Sequence, residues 1–237
     1  ITIFSSPFDS TAVDLLEDLN APAYKIASFE AIDLPLIKYV ATTKKPMIIS
    51  TGMANIEEIQ EAIDTAQENG CQELAILHCV SGYPAPAADY NLRTISDMKQ
   101  RFGLLTGLSD HTVDNTTAIA SVAMGASIIE KHVTLNKNGK GLDDSFSLEF
   151  DEFLNLCRDI KTTFKAVGGI NYDRKDSEKD NVKFRRSIYF IRDLSIGDVI
   201  TSEDIKSIRP GYGLPPKYMN ELIGKKVIAD VKRGDAT

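Results

Sequence analysis

Through the first 167 residues, short and nearly continuous apolar runs alternate with longer stretches whose apolar residues recur at helical i, i+3, i+4 spacing. The runs predict strands near Thr2–Ser5, Tyr24–Ala27, Met47–Ser50, Leu74–His78, Leu104–Gly107 and Ser127–Lys131. The stretches predict helices over Ala12–Leu19, Leu34–Thr42, Ile56–Asn69, Leu92–Phe102, Asn115–Met124 and Glu149–Ala166. Several helix starts carry cap signals, Asp9 or Ser10, Asn55 and Asn91, and Asn55-Ile-Glu-Glu58 has capping-box form. Gly70 and Gly125 stand where helices end. Strands that are apolar throughout and separated by helices are buried on both faces, which means a parallel sheet covered by helices.

Polar and ionisable residues close nearly every predicted strand at its C-terminal end: Ser5-Ser6, Lys25 and Ser28, Ser50-Thr51, His78 and Ser81, Ser109-Asp110-His111, and Glu130-Lys131-His132. That habit belongs to a (β/α)8 TIM barrel, whose sites lie on the C-terminal rim. A doubly wound sheet would show a glycine-rich first turn and one switch-point crevice, and the sequence shows neither. We therefore expect a TIM barrel over 1–167 that lacks its first two βα units, since the chain begins at Ile1 and runs straight into a strand.

Beyond Ala166 the pattern changes. Gly168-Gly169 and the charged run Asp173–Asn181 suggest a linker over 168–182, and 183–237 reads as a small β-rich module with strands near Ser187–Ile191 and Lys226–Val231. The module stops at Thr237, inside what should be a final strand, and is marginal in size for an independent core. No internal repeat is evident beyond the βα period.

Composition narrows the function class. The 237 residues are 43% hydrophobic and 26% charged, an ordinary globular balance. No apolar run approaches the roughly 20 residues that span a bilayer, and no basic n-region opens the chain, so no membrane role and a cytoplasmic location are the expectations. Cys71, Cys79 and Cys157 lack metal or redox spacing and are expected as reduced thiols. A net charge of -7 argues against nucleic acid as partner but leaves room for a local basic pocket that takes an anionic metabolite.

Two constellations carry candidate chemistry. His111 and His132 close consecutive predicted strands, and parallel strands joined by a helix would set them side by side, where two imidazoles with open positions suit a divalent ion such as Mn²⁺, Mg²⁺, Co²⁺ or Zn²⁺. Glu130 and Asp143 are the nearby carboxylates, although Asp143 and Asp144 also suit a solvated loop. His78, inside an apolar strand, reads better as structural. The second constellation is Lys25 with Ser6, Ser28, Ser50, Ser81 and Ser109, a set of donors that fits a phosphate or carboxylate, while any one of these serines could simply cap a helix. Lys25 also leaves open a Schiff-base aldolase.

Six ordered motifs then point to a family: Ser5-Ser-Pro-Phe-Asp9, Lys25-Ile-Ala-Ser28, Ile49-Ser-Thr-Gly-Met53, His78-Cys-Val-Ser-Gly-Tyr-Pro-Ala-Pro86, Gly107-Leu-Ser-Asp-His-Thr112 and Ile129-Glu-Lys-His-Val-Thr134. Together they resemble the sialic acid synthase family, and the module with Arg209-Pro-Gly-Tyr-Gly213 resembles the antifreeze-like (SAF) domain attached to those enzymes. Ser28-Phe-Glu-Ala-Ile-Asp-Leu-Pro35 and Asp144-Ser-Phe-Ser-Leu-Glu149 look more like the pseudaminic acid synthase branch than the N-acetylneuraminate branch. The resemblance implies a metal-dependent condensation (Mn²⁺, Mg²⁺ or Co²⁺) of phosphoenolpyruvate with a 2,4-diacetamido-2,4,6-trideoxy hexose, giving pseudaminic acid and phosphate by C–O cleavage. The related products N-acetylneuraminate and legionaminate are the near alternatives.

By the same resemblance, His111 and His132 match metal ligands, and Lys25, Ser28, Ser50 and Ser109 match phosphoenolpyruvate-binding positions. Ser6 stands where Thr is frequent, and Ser81 where some members carry Asn. Glu130 and Asp143 match catalytic carboxylates, and Tyr83 a substrate-pocket tyrosine. Arg209 matches an arginine that one subunit's SAF domain inserts into its partner's barrel, which implies a domain-swapped homodimer. The family's first two barrel strands carry a glutamate and a lysine that serve the reaction, so a chain that truly ended at Ile1 is expected to be inactive. A non-catalytic sugar-binding or assembly module is the remaining class.

Overall fold

The computed structural model describes residues 1–237, and the chain divides into two compact units, Ile1–Gly169 and Ile170–Thr237. In the first, helices and strands alternate as α1 (Ser10–Asp18), β1 (Tyr24–Ile26), α2 (Leu34–Ala41), β2 (Met47–Ser50), α3 (Ile56–Glu68), β3 (Leu74–Cys79), α4 (Arg93–Phe102), β4 (Leu105–Asp110), α5 (Thr116–Ala123), β5 (Ile129–Lys131) and α6 (Phe150–Val167). The five strands pair in parallel in the order of the sequence, forming a curled half-barrel. All C-terminal strand ends thus lie on one rim, which is where a site assembled from several strands must be.

Local chemistry explains the element boundaries. Asp9, rather than Ser10, caps α1, its Oδ1 accepting from Ala12 N at 2.9 Å. Asn55 and Glu58 complete the expected capping box on α3 at 3.0 and 2.8 Å. Asn91 does not cap α4: it sits in the left-handed region at φ 44°, and its carbonyl accepts from Thr94 N at 2.8 Å while its side chain turns back to Asp89 O. The run Thr2–Ser5 is not a strand; Ser5 makes a single parallel bridge to Tyr24, and Ile1 and Ile3 lie exposed, so the ladder that would define a strand is absent on that side.

Tyr24, Ile26, Ile37, Val40, Met47, Ile49, Ile63 and Ile76 form one core cluster, and Tyr90, Ile95, Leu108, Leu148 and Leu156 a second. Burial of every residue of β1, Lys25 included, is the mark of a strand covered on both faces. Gly107 is required by close approach, because a Cβ there would meet Ile128 O at 2.3 Å and Leu77 Cδ2 at 2.6 Å. The three cysteines are free thiols. No helix is long and apolar enough to cross a membrane.

In the second unit the stretch read as a linker carries a 3-10 helix over Asp176–Phe184, stabilised where Glu178 accepts from Lys175 N at 2.8 Å. Strands β6 (Ser187–Phe190) and β7 (Ile205–Ile208) pair antiparallel, and the short α7 spans Met219–Leu222. Lys226–Val231 is not a strand, since only Lys226 and Val231 pair, with Val199 and Leu194 respectively.

An internal repeat does exist, contrary to the sequence reading: Asp193-Leu-Ser-Ile-Gly-Asp198 and Asp230-Val-Lys-Arg-Gly-Asp235 are structural twins. Leu194 and Val231 exchange backbone hydrogen bonds at 3.0 and 2.9 Å. Asp193 accepts from Arg233 N and Asp230 from Ile196 N, both at 2.8 Å.

Candidate active site

The rim of the half-barrel joins four of the expected residues through direct contacts. Lys25, on β1 and 6% exposed, donates to Ser50 Oγ at 2.7 Å and to Ile26 O at 3.1 Å. Its Nζ lies 3.5 Å from Glu130 Oε2, and Glu130 Oε1 accepts from Ser109 Oγ at 2.6 Å. Four strands, β1, β2, β4 and β5, thus contribute to one chain of contacts. Burial holds the Lys25 amine below the ordinary lysine value, and the Glu130 carboxylate pulls it part of the way back. A cation with hydroxyls on both sides is a receptor for an anion, with Glu130 as its internal counter-ion.

Next to it, Ser28, Ser81 and Cys79 gather around the bare backbone of Gly52. Ser28 Oγ donates to Cys79 Sγ at 3.1 Å, and Ser81 Oγ is buried without any partner. A buried hydroxyl left unpaired is costly unless something else satisfies it. A Cβ built on Gly52 would stand 2.3 Å from Ser81 Oγ, 3.0 Å from Ser28 Oγ and 3.1 Å from Cys79 Sγ, so the methyl of an alanine would occupy this cradle. Gly52→Ala is therefore expected to weaken binding of inorganic phosphate at least about tenfold in calorimetry, with a loss of stability of about 1–3 kcal/mol from overpacking. Unchanged phosphate binding would show that the cradle is not the anion site.

His111 and His132 meet on the same rim, with ring centroids 5.3 Å apart. Beside His111, the Val80 carbonyl lies 2.8 Å from Nδ1; a carbonyl only accepts, so Nδ1 carries a proton there and Nε2 is the ring nitrogen left facing away from that contact. The His111 backbone is held as well, its N–H by Tyr90 Oη at 2.7 Å and its carbonyl by Ala85 N at 3.1 Å. His132 Nδ1 lies 3.3 Å from Asp143 Oδ2, and burial, reinforced by the His111 ring, lowers the pKa of His132 and so favours its neutral form. Tyr83 packs its ring 4.2 Å from His111, and Phe146 stands 5.2 Å from His132.

Two imidazoles, each with an acceptor at Nδ1 that steers its ring, have the donor chemistry and outer support of a metal-binding pair. No group of three His, Cys, Asp or Glu side chains converges, so Asp143 stands behind His132 rather than as a third ligand. Asp144 has a different task, tying the loop together through Thr134 Oγ1 at 2.6 Å and Gly141 N at 2.7 Å. His78 is apart from this pair, its ring bonded to the Tyr90 carbonyl.

Ser6 is partly buried and makes no hydrogen bond. Arg209 lies in the second unit, directly after β7, exposed and without an ion pair. Glu30 escaped the sequence reading: its Oε2 is buried with no partner, and its charge acts on both Lys25 and Tyr83. Its position two residues beyond Ser28, at the same strand end, was the available signal.

The NeuB family matches residues 1–172 and the SAF domain residues 185–236. Among curated relatives, the pseudaminic acid synthase of Campylobacter jejuni is 40% identical over 236 residues, covering 100% of this chain and 69% of that protein. The N,N'-diacetyllegionaminic acid synthase of the same species is 38% identical over 238 residues, covering 99% of this chain and 71% of that protein. The crystal structure of the spore coat polysaccharide biosynthesis protein SpsE from Bacillus subtilis superimposes with a TM-score of 0.68 at 32% identity, over 100% of this chain and 72% of the other. A rim of anion donors beside a histidine pair, on a chain matched from end to end by such relatives, leaves one assignment: the protein belongs to the NeuB family.

Proposed function

We propose that this chain carries the phosphoenolpyruvate-binding rim of a nonulosonic acid synthase, which condenses phosphoenolpyruvate with a 2,4-diacetamido-2,4,6-trideoxy hexose to give pseudaminic acid and phosphate. The observation that carries the reading is the buried Lys25, bracketed by Ser50 and by the Glu130–Ser109 pair. The five parallel strands are read as consecutive strands of a (β/α)8 barrel.

In this reading Lys25, Ser50 and Ser109 take one end of the anion, while Ser28, Ser81 and Ser6 take the other, with the Ser81 hydroxyl gaining the partner it lacks. The π electrons of the C2–C3 double bond form the new bond from C3 to the sugar aldehyde carbon, and the aldehyde oxygen becomes a hydroxyl. Water adds at C2, one of its protons passing through Glu130 to the former aldehyde oxygen, and the C2 hydroxyl gives up its remaining proton to the departing phosphate as the tetrahedral centre breaks its C–O bond to leave the 2-keto acid. Tyr83 and Phe146 wall off the reacting carbons from water, and Asp143 holds His132 in its tautomer. A divalent cation such as Mn²⁺, Mg²⁺ or Co²⁺, held by His111 and His132, supplies Lewis-acid polarisation of the aldehyde. Arg209 reaches the sugar's acetamido group from the SAF unit of a second subunit, and the enzyme is a domain-swapped homodimer of the cytoplasm, where phosphoenolpyruvate is found.

The test is isotopic. With phosphoenolpyruvate carrying ¹⁸O on C2, any turnover is expected to deliver the label to inorganic phosphate, and label retained in the sugar acid would overturn the C–O route. A calorimetric titration showing neither phosphoenolpyruvate nor Mn²⁺ binding would overturn the reading as a whole. The lowered pKa of Lys25 favours one second reading, a Schiff-base aldolase, which borohydride trapping with pyruvate would reveal as a covalent adduct.

A further inference from the structure

The residues that precede the two histidines, Asp110 and Lys131, are themselves in register on β4 and β5. Side chains alternate across a strand, so these two leave the sheet on the face opposite to Ser109 and Glu130. Both are buried, with side-chain exposures of 0% and 2%. Lys131 Nζ donates to Asp110 Oδ2 at 2.8 Å, to Asp114 O at 2.8 Å, to Thr112 Oγ1 at 3.2 Å and to the Thr112 carbonyl. Asp110 Oδ1 in turn accepts from Thr112 N at 2.9 Å. One ammonium thus gathers the whole segment that follows β4, and His111 lies within that segment.

A buried ion pair contributes little net stability over an apolar pair of the same shape, so its presence calls for another account. The two charges bond to each other and to Thr112 and Asp114 rather than to the anion donors, and both lie one residue from an imidazole on the reactive side. We propose that Asp110 and Lys131 are positioning residues, a brace that sets the spacing and facing of the His111 and His132 rings; as a claim about metal binding it rests on the reading that this pair holds the divalent cation. Loss of an outer partner that orients a ligand costs a metal site roughly 10- to 100-fold in affinity.

The test uses the double variant D110N/K131M, which removes both charges without leaving either one orphaned, and D110N alone, which keeps the lysine's bonds to the Thr112 and Asp114 carbonyls. Melting temperature, Mn²⁺ titration by calorimetry and metal-free ¹⁵N spectra of the histidine rings are measured together. The double variant is expected to melt within a few degrees of the wild type yet bind Mn²⁺ at least about tenfold more weakly. Its His111 and His132 ring signals should shift while those of His78 stay in place, and D110N should show the same changes to a smaller degree. Wild-type Mn²⁺ affinity in the double variant overturns the proposal. If the wild type itself takes up no Mn²⁺, the metal reading fails, and the brace is then judged on the ring spectra alone: unchanged His111 and His132 signals overturn it.

Discussion

Lys25→Met is expected to weaken phosphoenolpyruvate binding by roughly a hundredfold, the equivalent of about 3 kcal/mol for a lost charge-assisted contact in a buried site. The same substitution should leave the melting temperature unchanged or higher. Lys25 is 6% exposed and is held as an ammonium against a desolvation cost, and its partner Glu130 keeps the Ser109 hydroxyl and 40% side-chain exposure when the lysine is gone. The pH dependence of stability gives a separate handle. Because the native amine titrates below the ordinary lysine value, the unfolded chain binds more protons between those two values, and stability rises with pH across that interval. That rise should be missing in the variant. Calorimetry and melts over the alkaline range check both parts; a variant that binds normally would remove Lys25 from the anion site.

His111→Ala should abolish Mn²⁺ binding, a loss larger than the roughly 10- to 100-fold that follows from removing an outer partner. It should also cost stability, since the ring is 4% exposed, bonds Val80 O and packs against Tyr83. His78→Asn provides the control: its ring is committed to the Tyr90 carbonyl, so Mn²⁺ affinity should be unaffected even if the fold is weakened. Metal titration of the two variants separates a ligand from a structural histidine; equal losses in both would defeat the assignment of the pair.

The half-barrel was largely legible from the sequence. Met47–Ser50 was expected as a strand and is one over the same residues, because a buried parallel strand is written as a local apolar run. Thr2–Ser5 has the same local signature but no ladder, since pairing is not a local property. The rim rule grouped Lys25, Ser50, Ser109 and Glu130 correctly as strand-end residues. What it could not convey is that Glu130 sits on Lys25, which depends on distances across three intervening strands. Glu30 was missed for a similar reason, as its burial is set by the turn after β1. In the second unit, β7 went unseen because Ile205-Lys-Ser-Ile208 is short and mixed in character. Its repeat hid because the two copies share only their aspartates and glycine, while the residues between them differ.

That repeat has a consequence for how the smaller unit comes apart. Each copy's leading aspartate holds the other copy's turn, at 2.8 Å in both directions, and the two turns are also tied by the Leu194–Val231 exchange. Opening one turn therefore releases the anchor of its twin, and neither can fray alone. With few large buried side chains, Ile188, Phe190, Ile200, Ile205 and Val227, the unit is a clasp whose halves lock one another, and it should melt in one step or not at all.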